Sequence, residues 1–151
     1  MKRVSLLSGL CLIALVICLI SFSPVPGKSL IDDVLSHTNQ FRRSKGMAAL
    51  VINSDLNDIA EKHSRNMAQG KVGFGHGVFN KRYNAAKQKI PEFNAFAENV
   101  AFGASTGKEA VAMWKNSALH RRNMLGQYKY IGIGIAKDRK GRIYYTQVFA
   151  R

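Results

Sequence analysis

Apolar positions at Leu30, Ile31, Val34, Leu35 and Phe41, with Thr38 among them, recur every three or four residues. That spacing predicts an amphipathic helix running to about Ser44. Ser29 is its N-cap, Asp32 completes a capping box, and Gly46 stops it. A second helix follows from Ser54, read as its cap, with Leu56, Ile59, Ala60, His63 and Met67 facing inward and Gly70 closing it. On that face His63 reads as a hydrogen-bonded core or flank residue. Phe79 to Lys89 is basic and suits one or two helical turns, which Pro91 ends.

The pattern then changes. Phe96 to Phe102 reads as a short buried strand carrying Glu98 and Asn99 among apolar neighbours. Thr106 caps a further helix, with Glu109 three residues on and Val111 and Trp114 on one face, ending near His120. Tyr130 to Ala136 alternates isoleucine with Gly132 and Gly134, and Arg142 to Phe149 is rich in β-branched and aromatic residues. Both read as strands joined by a hairpin turn at Asp138-Arg139-Lys140-Gly141. The glycines predict that an element, such as a helix, packs closely on that face. The expected fold is α+β, a small antiparallel sheet covered by helices, or a three-layer α-β-α arrangement.

The beginning of the chain is different. Met1-Lys2-Arg3 is basic, Leu10 to Ile20 is unbroken apolar, and no further charge occurs before Lys28. Residues 1–27 therefore read as a signal peptide. Val4 to Phe22 also approaches the roughly 20 residues of a membrane anchor. Cleaved signal and uncleaved anchor both stay open. Either exports the domain at 28–151, to the outside, the periplasm or the outer face of the cytoplasmic membrane.

Cys11 and Cys18 both lie in the apolar run, so the domain has no disulfide framework and no thiolate metal site. At about 120 residues it is large enough to build a core without them. Lys and Arg number 23 against 9 Asp and Glu. With Lys2 and Arg3 set aside the domain keeps a net charge of about +12. Attraction to anionic surfaces follows, whether phospholipid headgroups, acidic cell-wall polymers or nucleic acid. Nucleic acid is not expected for an exported chain with no reader motif. Lys81-Arg82, Lys87, Lys89 and Arg121-Arg122 read as solvated faces.

An ionised carboxylate such as Glu98 is costly to bury without partners. His76, between Gly75 and Gly77, and His120 are the candidate donors. A His76–Glu98–His120 hydrogen-bond network would partner the carboxylate, and the spacing of these residues alone does not suggest a metal. Ser117 and His120, three apart on a helix, suggest a hydrolase with Glu98 orienting the histidine. The chain has no Gly-x-Ser-x-Gly elbow, and Ser117 reads more simply as a cap at a helix break.

Four pieces carry a resemblance: Gly75-His76-Gly77, Ala-Glu-Asn-Val-Ala at 97–101, Trp114-x-x-Ser117-x-x-His120-Arg121, and Tyr144-Tyr145-Thr146-Gln147-Val148-Phe149. In this order they resemble the bacterial branch of the CAP superfamily, the SCP-like secreted domains, over roughly Leu35 to Phe149. The resemblance implies an α-β-α sandwich with a central cleft. His76 matches the family's first histidine, Glu98 its first glutamate, and His120 the histidine usual in bacterial members. Ser117 stands where a second glutamate would be, and Tyr144 where a last histidine would be. The implied ligand cleft is thus His76, Glu98 and His120, with Asn99, Ser117 and Tyr144 nearby, and His76, His120 and Glu98 as the ligands of any zinc. The function expected is a binding module for a lipid-like or other extracellular ligand, with Phe93, Phe96, Phe102 and Met113 as candidate apolar lining. The alternative is a peptidase-like hydrolase using His76, Glu98 and His120.

Overall fold

Ser29 opens the first helix, its hydroxyl accepting from the Asp32 backbone N–H at 3.1 Å. The computed structural model describes residues 29–151, so the expected signal or anchor at 1–27 lies outside the described residues. The elements are α1 (Leu30–Arg43), β1 (Val51–Ile52), α2 (Ser54–Ala68), α3 (Phe79–Lys89), β2 (Phe96–Phe102), α4 (Gly107–Asn116), α5 (Ala118–Met124), β3 (Tyr130–Lys137) and β4 (Ile143–Ala150). No helix among the described residues is long and apolar enough to cross a membrane.

The sheet runs in the order β1-β3-β4-β2. β2, β4 and β3 form the expected antiparallel array. β1 adds two residues parallel to β3, and at that length it has no periodicity to read in the sequence. Partners across an antiparallel ladder share a face. Glu98, Val100, Val148, Thr146, Gly132 and Gly134 therefore form one face, while Asn99, Gln147, Ile131 and Ile133 belong to the other.

α2 lies directly on the glycines. A Cβ on Gly132 would come within 2.2 Å of the Leu56 backbone, and one on Gly134 within 2.1 Å of the Ala60 backbone. The helix is fixed there by Ser64, whose hydroxyl donates to Gly134 O at 2.9 Å. α1, α4 and α5 pack on the opposite face, around Trp114, Ile131, Ile133, Tyr145 and Phe149, all essentially buried. Each such buried aliphatic or phenyl group contributes about 1.5–3 kcal/mol. Three layers result, helix on sheet on helix.

Four local expectations change. Asn53, not Ser54, caps α2, because its side-chain oxygen accepts from Leu56 N at 3.0 Å. α3 spans 11 residues, longer than one or two turns, since Ala86 and Ile90 anchor it beside α2. Glu109 reaches past the Thr106 cap to the Ser105 N–H at 2.7 Å. The helix expected to end near His120 is two helices, α4 and α5, divided by the extended ψ of 123° at Ser117, the helix break that Ser117 suggested. Ser117 makes no side-chain cap bond there.

Candidate functional site

β2 forms one edge of the sheet, and the cleft lies along that edge. Glu98 points to the α2 side. It is 3% exposed, which demands strong partners. His76 is one of them: its Nδ1 donates to Glu98 Oε1 at 2.9 Å. The main partner is Arg82 of α3, which sequence reasoning placed in solvent. It is buried, with Nε donating to Oε2 and Nη2 to Oε1 at 2.7 Å. Its Nη1 donates to Gly77 O at 2.9 Å, so the guanidinium also holds the loop that carries His76. A signal existed. Arg82, Ala86 and Ile90 recur every four residues, and all three are buried.

His63 supports the same loop from α2. Its Nε2 donates to Gly75 O at 2.9 Å and lies 3.9 Å from Glu98 Oε1. Burial, and then the nearby Arg82 charge, push its pKa below the usual histidine value. It is a core histidine, as the sequence suggested.

His120 approaches from the other side, on α5. Its ring centroid is 6.2 Å from that of His76, and no bond joins it to Glu98. Burial, with the His76 charge second, lowers its pKa. Asn99 is fully buried on the α5 face and does not line the cleft. Its Nδ2 donates to His120 O at 3.1 Å, which sets the position of that turn of helix. Asn123, also missed in the sequence, donates to Asn99 Oδ1 at 2.9 Å and to Glu98 O at 3.1 Å.

The cleft itself measures about 330 Å³. Its lining is partly apolar, from Phe79, Phe96, Ala97 and Leu119, and partly polar, from His76, Glu98, His120, Arg122 and Asn123. Besides Asn99, two expected members lie elsewhere. Ser117 is not among the lining residues and makes no side-chain cap bond. Tyr144 pairs with Phe102, about 13 Å along the strand from Glu98 at some 3.3 Å per residue. Of the expected apolar lining only Phe96 reaches the cleft. Phe93 packs beside it, with ring centroids 6.2 Å apart, while Phe102 and Met113 are exposed.

The residues do not fit the three-ligand zinc site. Both Glu98 oxygens already accept from Arg82, whose fixed positive charge opposes a cation on that carboxylate. Among the described residues no group of three His, Cys, Asp or Glu could hold a metal ion.

Known proteins place this geometry. The family pattern described as CAP, the cysteine-rich secretory protein family, matches residues 35–149. An uncharacterised membrane protein of Bacillus subtilis, YlbC, is 33% identical over 123 residues, covering 78% of this chain and 33% of its own. A second B. subtilis protein, YkwD, is 30% identical over 108 residues, covering 70% of this chain and 42% of its own. The chain thus spans about a third of the length of one relative and somewhat over two-fifths of the other. A crystal structure of an extracellular protein containing an SCP domain from Bacillus anthracis superposes with a TM-score of 0.69 at 26% identity, over 81% of this chain and 40% of that one. Sequence pattern and three-layer architecture agree, and the chain belongs to the bacterial CAP superfamily, the cysteine-rich secretory protein family.

Proposed function

We propose that the chain is an exported, non-enzymatic binding module whose cleft takes an anionic amphipathic ligand such as a fatty-acid-like lipid. One observation carries this reading. Arg82 neutralises Glu98, the one carboxylate among the lining residues, and leaves apolar Phe79, Phe96 and Leu119 together with polar His76, His120, Arg122 and Asn123. A negative headgroup suits the basic groups and an alkyl chain the apolar ones. Export is supported by the apolar run before the domain, by an SCP-domain neighbour described as extracellular and by a relative described as a membrane protein.

Dodecanoate titrated into the full chain tests the cleft. The imidazole NMR signals of His76 and His120 should shift with saturation, and dodecanol should bind about tenfold more weakly, an anionic-group preference of roughly 1.4 kcal/mol. Arg122→Gln should remove most of that preference. Unmoved imidazole signals would overturn the reading. A reporter fused after Arg151 that is active in the cytoplasm would overturn export.

A further inference from the structure

A second feature lies at the other end of β2. Phe74, from the loop between α2 and α3, is 50% exposed, and Phe102 is 39% exposed. Their rings meet edge-on with centroids 4.7 Å apart. Tyr144 stacks on Phe102 at 5.8 Å and is itself buried with Met67 and Val100. Two phenyl groups are thus held in water on a rigid base, where they gain little from folding.

A basic groove of about 780 Å³ lies between the end of α2 and the β3–β4 hairpin, formed by segments that lead in sequence to Phe74 and to Tyr144. Lys71, three residues before Phe74, forms one side, and Lys137, Arg139, Lys140 and Arg142 form the other. Its one carboxylate, Asp138, accepts from the Lys140 N–H, the Arg142 N–H and Arg142 Nε. Lys71, Lys137, Arg139 and Lys140 have no carboxylate partner among the described residues. Arg142 stands two residues before Tyr144 and links the groove to the aromatic step.

We propose that this end of the domain docks on the surface of an anionic phospholipid bilayer. Phe74 and Phe102 enter the headgroup layer, and the Lys71–Lys140 groove lies against the lipid charges. A soluble polyanion would use the cations but leave both phenyl groups in water, whereas a bilayer accommodates both. The surface is separate from the His76 cleft and does not rest on the ligand read there.

The test uses the full chain carrying Phe74→Trp, since Trp114 is 1% exposed and contributes a constant background. Vesicles of phosphatidylglycerol and of phosphatidylcholine, each with brominated acyl chains, are compared. The difference between the two vesicles reports attraction to lipid charge, and the lysine pairs below assign it to the patch. The new indole should shift to the blue and be quenched roughly threefold more strongly in phosphatidylglycerol. Lys71→Glu with Lys140→Glu, or the milder pair of glutamines, should abolish that difference while the melting temperature stays unchanged. Equal quenching in both vesicles would overturn the proposal, as would a difference that survives both pairs. A matching blue shift with polyphosphate alone would also overturn it, in favour of an acidic polymer.

Discussion

Arg82 grips both carboxylate oxygens of Glu98, two nitrogens to two oxygens, inside the protein. Neither residue is stable there alone. Arg82→Met should therefore destabilise the chain by about 3–5 kcal/mol in urea unfolding, because it leaves a buried charge uncompensated. Arg82→Met combined with Glu98→Gln should recover most of the loss. A single-variant loss below about 1 kcal/mol would mean that water reaches the carboxylate.

Gly134 tests how α2 is seated. A methyl group there meets the Ala60 backbone at 2.1 Å, and backbone does not swing aside as a flexible side chain would. Gly134→Ala should cost about 1–3 kcal/mol or more by overpacking. The same change at Gly73, where a Cβ meets nothing within 4 Å, should be nearly neutral. Similar losses at the two positions would remove the packing argument.

Acid should weaken the fold through its histidines. His63 and His120 both have folded pKa values below the ordinary 6.5. Between those lowered values and about 6.5, the unfolded chain binds more protons than the folded one, so stability falls as pH falls through that window. Above it the contribution is fully present. Urea midpoints should drop between pH 7.5 and pH 5.5, and His63→Gln should flatten the decline. An unchanged slope in that variant would place the titration elsewhere.

Chelation should do nothing. With Glu98 committed to Arg82, treating the full chain with EDTA should leave its melting temperature where it was. Micromolar zinc should add less than about 0.5 kcal/mol, since stabilisation follows the ratio of ligand to Kd. A rise of several degrees would show that Arg82 releases the carboxylate to a metal.

Local chemistry made most of the fold legible. Ser29 and Thr106 announce their helices by offering oxygens to orphan N–H groups, and Gly132 and Gly134 foretell the helix that covers them. What stayed hidden was non-local. β1 exists because Val51 and Asn53 donate to carbonyls of Lys129 and Ile131, nearly eighty residues away. The break at Ser117 was legible from its residue type, but not that its side chain would make no cap bond. At the site, His76 and Glu98 were legible because a shared motif carries them. Arg82 was not, since a charged residue on a basic helix is assigned to water until its partner is known. Tyr144 was misplaced because matching a motif position does not show how far along the strand it falls from Glu98.

The outer rim of β2 has one more consequence. Asn123 bonds Glu98 O there, and the Trp114 indole bonds Val100 O at 3.0 Å. An uncovered border strand invites another chain to zip onto it, the first step toward fibrils. Two side chains from neighbouring helices fill the acceptor positions a foreign strand would need. This blocks self-templated growth along the border in a domain that has no cysteine to staple it shut.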